Sequence, residues 1–210
     1  VRHDGDWAPA PRAMHNLMLY LHDKPRLDVV IPNPADLDRE GIRPSNEQIL
    51  DHKFMYMHGR NAFRFDKDQK AIDNMRSNLQ TGGLLLADAT CGRKAFDESF
   101  RHFMSLVFKD KQLEPIPLND ELFGKELNGQ AIKSVRCRRE RADGSRAAAE
   151  YRTVPPSLEG IKYRGRWVVV YSKYDLGCAL EHTNAPDCLG HDYDSALKLA
   201  TAAVLYAIKR

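Results

Sequence analysis

Apolar residues at 14, 17, 18 and 21 recur at the three-and-four spacing of a helix with one buried face, so Met14 to Leu21 reads as an amphipathic helix. Leu27-Asp28-Val29-Val30-Ile31 reads as a short buried strand stopped by Pro32-Asn33-Pro34. Residues 35 to 50 are mixed and polar, a turn with short helical pieces. Phe54-Met55-Tyr56-Met57-His58 is the next strand, ended by Gly59. Asp66 is placed to cap a helix from Lys67 to Gln80, with Ile72, Met75 and Leu79 on one face and Gly82-Gly83 as its stop. Leu84 to Ala89 follows without polar alternation, as parallel strands buried on both faces do. A Gly92 turn then leads into a helix from about Ala95 to Val107, completing a βαβα pattern.

From 110 to 165 the rhythm breaks. Pro115, Pro117, Pro155 and Pro156 punctuate short segments, and Asp143-Gly144 marks a β-hairpin, so the stretch reads as an insertion or peripheral layer. Trp167 to Tyr171 is a buried strand entered through the Arg164-Gly165-Arg166 turn. A helix from about Asp194 to Ile208 closes the chain, burying Ala196, Leu199, Ala200, Ala203, Val204 and Ala207. With no internal repeat or linker, residues 1–210 read as a single α/β domain, a three-layer α/β/α sandwich around a mostly parallel sheet with a hairpin insertion.

Composition narrows the function classes. At 210 residues and a formal net charge of +3, the chain lacks the clustered basic excess of nucleic-acid binders. Its one basic run, Arg136 to Arg141, contains Glu140 and no aromatics, and reads as the solvated face of the hairpin. No apolar run approaches the roughly 20 residues that span a bilayer. The start at Val1, within what looks like an interrupted strand and turn, suggests a piece excised from a longer protein.

Ligands of open α/β sheets bind at the carboxyl ends of the strands. That rule selects Pro32-Asn33-Pro34, His58 to Asn61, Asp88 to Arg93, and Ser172 to Asp175. A cleft lined by His58, Arg60, Asp88, Cys91, Arg93 and Asp175 is the default site. Each residue has a plainer role as well. His58 can cap a strand end, Asp88 can accept backbone amides, Cys91 can be a small buried turn residue, and Asp175 can organise its turn. A second constellation, Cys178-x3-His182-x5-Cys188-x2-His191, admits three readings: a Cys178–Cys188 disulfide, free cysteines, or a metal site built from all four residues. Whether Cys91 pairs with Cys137 stays open.

Several segments together resemble one family. Phe54-Met55-Tyr56-Met57-His58-Gly59, Gly82-Gly83-Leu84-Leu85-Leu86-Ala87-Asp88 and Ala95-Phe96-Asp97-Glu98-Ser99-Phe100-Arg101 are similar to the bacterial domain of unknown function 4159. Gly5-Asp6-Trp7, Tyr174-Asp175-Leu176 with Cys178, and Ala203 to Ala207 match in the same order. The resemblance implies a class I glutamine amidotransferase-like fold with a flavodoxin-like sheet, in a larger exported bacterial protein of the periplasm or cell envelope. It implies no established reaction and no cofactor. The superfamily's Gly-x-Cys-x-Gly elbow is absent, Asp88-Ala89 stands in its place, and Glu181-His182 are adjacent where the superfamily separates its histidine and glutamate.

The expected function is therefore a binding or interaction module. Its ligand would be a small anion or carbohydrate held by His58, Arg60, Asp88, Arg93 and Asp175, or another domain of the parent protein. A hydrolase using Cys91 or an activated water, with His58 as base and Asp175 or Asp88 orienting it, is the enzymatic alternative. Metal binding through Cys178, His182, Cys188 and His191 is the third.

Overall fold

The computed structural model describes residues 1–24, 26–31, 33, 41–141, 143–144 and 150–209. In chain order its elements are α1 (Ala13–Asp23), β1 (Phe54–Gly59), α2 (Gln69–Gln80), β2 (Leu84–Ala89), α3 (Lys94–Val107), β3 (Glu114–Pro115), α4 (Lys125–Asn128), β4 (Val135–Cys137), β5 (Arg152–Val154), β6 (Glu159–Tyr163), β7 (Arg166–Ser172), α5 (Gly177–Leu180) and α6 (Tyr193–Lys209). Single 3-10 turns occupy Glu47–Asp51, Thr90–Gly92 and Glu121–Phe123.

Every residue of β2 is buried, because β2 lies between β1 and β7 with a core on each face. The sheet order is β1-β2-β7-β6-β3. β1, β2 and β7 run parallel, while β6 and β3 extend the far edge antiparallel. On one face, Met55, Met57, Leu85, Ala87 and Tyr171 pack with α2 and with Phe96, Phe100 and Phe103 of α3. On the other, Tyr56, Leu84, Leu86 and Val170 pack with Leu17 and Leu21 of α1 and the alanine-rich face of α6. The mixed α/β class follows directly from these two cores.

Several local expectations are corrected. Leu27 to Ile31 is not a strand: no neighbour among the described residues pairs with it, and Val30 is 90% exposed. Pro32 and Pro34 of the first loop lie outside the described residues. The cap of α2 is Asp68, whose side chain accepts from the Ala71 amide (3.0 Å), while Asp66 instead meets the His102 ring. Part of the segment read as peripheral belongs to the main sheet, since it supplies β3 and β6, with β6 joined to β7 through Arg164-Gly165 at positive φ. β4 and β5 do pair antiparallel, as a separate two-stranded sheet. Gly144 sits in their long connection at φ +77, a conformation glycine tolerates without strain.

One buried polar side chain ties the first part of the chain to α2. Asn78 donates to the carbonyls of Ile49 (2.7 Å) and His52 (2.9 Å), anchoring the 47–51 turn beside β1. Asn78→Ala is expected to cost about 1–3 kcal/mol, because it strands buried carbonyls. Equilibrium urea unfolding measures this, and an unchanged midpoint would show that the turn does not need the tether.

Candidate functional site

β1, β2 and β7 end together, with His58 opposite Asp88 and Asp88 opposite Ser172 in the register. Alternation along β1 and β2 directs Tyr56, His58, Leu84, Leu86 and Asp88 to the face covered by α1 and α6. There the segment after β7 folds over the strand ends and closes them. Asp88 accepts hydrogen bonds from the Tyr56 hydroxyl and from the Leu176 amide (3.0 Å). Gly177, the first residue of α5, lies so close that an added Cβ would meet the Tyr56 hydroxyl at 2.8 Å and His58 Nδ1 at 3.0 Å.

Asp175 performs the same service one turn away. Its Oδ2 accepts from the Cys91 amide (2.6 Å) and its Oδ1 from the Cys178 amide (2.7 Å). Both carboxyls are fully buried. Among the described residues no lysine or arginine forms an ion pair with either. Burial, reinforced by the charge of Asp175, pushes the Asp88 pKa up to about 8, and burial also raises Asp175. Asp88 thus holds a proton far more readily than an ordinary carboxyl.

The histidines are shifted the opposite way by the same cause. Burial holds His58 well below the usual imidazole range and His191 at about 4, so both rings are neutral at pH 7. His58 Nδ1 and both ring nitrogens of His191 have no hydrogen-bond partner among the described residues. His3 Nε2, from the start of the chain, lies 2.9 Å from the His58 carbonyl oxygen.

Cys91 occupies the turn between β2 and α3 with φ +52, in the left-handed region. Its sulfur is bonded to Cys188, across 97 positions of sequence. This corrects the expected Cys178–Cys188 bridge. Only nine residues separate those two cysteines and their sulfurs do lie within 4.8 Å, but the following loop brings Cys188 onto the 90–92 turn, where it bonds Cys91 and leaves Cys178 a free thiol beside it. Cys178 and Cys137 are free and buried. Among the described residues the four candidates of the metal reading do not form one cluster. His182 stacks on the Tyr193 ring (centroids 4.0 Å), and the group of possible ligands that does converge is Cys91, Asp175, Cys178 and Cys188.

The sequence-predicted residues therefore separate. His58, Asp88 and Asp175 form a sealed polar plug, and Cys91 is bonded at its half-exposed edge. Arg60 and Arg93 stand in solvent, with the Arg93 guanidinium 4.0 Å from Asp187. Among the described residues β1, β2 and β7 follow one direction of strand order, whereas a crevice opens where that order reverses.

An open groove lies elsewhere, between α1, α6 and residues 128–134. This groove of about 780 Å3 is lined by Tyr20, Lys24, Lys133, Tyr193, Lys198 and Thr201 among others. It was missed because reading α6 for its apolar face left Lys198 and Thr201 as ordinary surface. Only the spacing of Asp194, Lys198 and Thr201 on one helix side hinted at a shared face.

Two measurements test this geometry. The non-reduced protein is expected to yield a proteolytic fragment linking Cys91 to Cys188, and reduction is expected to lower stability by about 2–4 kcal/mol. A Cys178–Cys188 fragment would overturn the pairing. For Asp88 the sign follows from a folded pKa above the unfolded one: the protonated acid contributes stability below about pH 4, which is lost as pH rises toward about 8. The stability of Asp88→Asn relative to wild type is therefore expected to rise across that window. Parallel curves in urea titrations at several pH values would refute the burial of a protonated Asp88.

No curated protein matches the chain. The family model described as domain of unknown function (DUF4159) matches residues 1–208, and the chain belongs to that family.

Proposed function

We propose that this domain is a ligand-binding or interaction module of an exported bacterial protein. In this reading it is a class I glutamine amidotransferase-like domain with a flavodoxin-like sheet and without the triad. The observation that carries the reading is the state of the strand-end groups. Cys91 Sγ is bonded to Cys188, Asp175 holds two main-chain amides, and His58 lies beneath Gly177. The hydrolase alternative needs Cys91 or His58 to reach a substrate, and neither has that freedom in this arrangement. Three parallel strands with helices on both faces support the superfamily assignment, and a disulfide suits an oxidising compartment.

The groove between α1 and α6 is the binding surface in this reading. Lys24, Lys133 and Lys198 outnumber Asp194 there, and Tyr20 and Tyr193 offer aromatic surface of the kind that sugar rings stack against. Its volume falls in the range of roughly 300–1,000 Å3 usual for small-ligand sites. An acidic carbohydrate satisfies both features.

Oligogalacturonate, with cello-oligosaccharide as the uncharged control, is the probe, and isothermal titration calorimetry is the measurement. Wild type is expected to bind the acidic oligomer, and replacing Lys24, Lys133 and Lys198 together by alanine should weaken binding at least about tenfold, or 1.4 kcal/mol. If the loss instead followed Arg60→Ala with Arg93→Ala, the ligand would sit on the strand-end rim. Release of new reducing ends would replace the binding module with a hydrolase. Absence of binding to either oligomer would remove the carbohydrate assignment.

A further inference from the structure

Four potential metal-ligand atoms meet behind the strand-end plug. The sulfurs of Cys91, Cys178 and Cys188 and a carboxylate oxygen of Asp175 all lie within 4.8 Å of one another. Cys188 Sγ is 3.7 Å from Asp175 Oδ2. We propose that this cluster is a zinc site alternating with the Cys91–Cys188 disulfide: oxidised, the sulfurs bond to each other; reduced, three thiolates and the Asp175 carboxylate hold one zinc ion.

The donor set decides the class of ion. Three sulfurs and one carboxylate form a four-coordinate, mostly soft shell, which selects zinc over calcium or magnesium. With zinc–sulfur bonds near 2.3 Å, the edges of a tetrahedron of sulfurs are about 3.8 Å, so ligands already within 4.8 Å need only small displacements. The shell is largely shut from water, with Asp175, Cys178 and Cys188 buried and Cys91 half-exposed as the side of entry. That is the layout of a closed structural site.

Two further observations point the same way. The amides of Cys91 and Cys178 donate to the two oxygens of Asp175, so two of the ligand residues themselves fix the carboxylate that would share the ion. Asp175 is also a fully buried acid, with Asp88 beside it, that no lysine or arginine among the described residues pairs with. A divalent cation supplies the positive charge this region lacks.

The exchange balances without further components than a dithiol reductant and the ion. The dithiol gives two electrons and two protons to the Cys91–Cys188 bond and itself becomes a disulfide, leaving two thiols. Zinc then displaces one proton from each of Cys91, Cys178 and Cys188, and binds Asp175 in its ionised form. The disulfide form of the same reductant reverses the exchange: it takes two electrons from the Cys91 and Cys188 thiolates and, with two protons, returns to the dithiol, while the Cys91–Cys188 bond re-forms, Cys178 regains its proton and the ion leaves.

The test uses the whole domain, oxidised or treated with a phosphine reductant under nitrogen, and then given zinc chloride. Native mass spectrometry is expected to show one zinc per reduced chain and none on the oxidised chain. Alkylation of the zinc-loaded protein, read by peptide mapping, is expected to spare Cys91, Cys178 and Cys188 relative to the reduced, metal-free protein. Cys178→Ser leaves the disulfide untouched, so its oxidised form folds as a control, and its reduced form should bind zinc about 100-fold more weakly. The proposal is overturned if the reduced wild-type chain takes up no stoichiometric zinc. It is equally overturned if Cys178→Ser binds as tightly as wild type, or if zinc shields none of the three thiols.

Discussion

Two carboxyl groups taken wholly out of water set the architecture at the working end of this sheet. A buried acid is tolerated only when its oxygens are hydrogen-bonded. Asp88 and Asp175 meet that requirement by drawing in the Tyr56 hydroxyl and the amides of Leu176, Cys91 and Cys178. These contacts join β1, β2, the turn before α3 and the segment that starts α5. The consequence reaches beyond the four contacts. Closing α5 over the strand ends requires glycine at 177 and a sharp turn at 90–92, and burial in this region holds the His58 and His191 rings neutral.

Much of this fold could be read from the chain, and the reasons are local. β1, β2, α3 and α6 carry uninterrupted periodic patterns, and their observed bounds differ from the expected ones by a residue or two. Leu27 to Ile31 has the composition of a strand, but a strand needs a neighbour, which no single segment announces. β6 was hidden for the converse reason. Glu159-Gly160-Ile161-Lys162-Tyr163 is half polar because it sits near the sheet edge, and only its pairing with β7 makes it a strand.

The candidate site was legible as a set of residues but not as an arrangement. Strand-end logic named His58, Asp88, Cys91 and Asp175, and the structure gathers all four at one end of the sheet. It could not tell whether they face a cleft or a plug, because that depends on where residues 172–191 go. Nor could spacing assign the cysteines. The 97 positions separating Cys91 from Cys188 carry no signal, whereas the nine residues between Cys178 and Cys188 carry a misleading one.

The disulfide and Asp175 secure the same junction by different means. The Asp175 carboxylate accepts the Cys91 amide, and the Cys91 sulfur is bonded to Cys188, so the turn before α3 is held to the segment after β7 twice. Both ties run from the partly buried Cys91 to a fully buried partner, Asp175 in one and Cys188 in the other. Reduction then releases two sulfurs next to a third without dispersing the loops that carry them, because Asp175 still fixes the backbone at both Cys91 and Cys178. Two ties of unlike chemistry at one junction let this corner change its sulfur chemistry while keeping its fold.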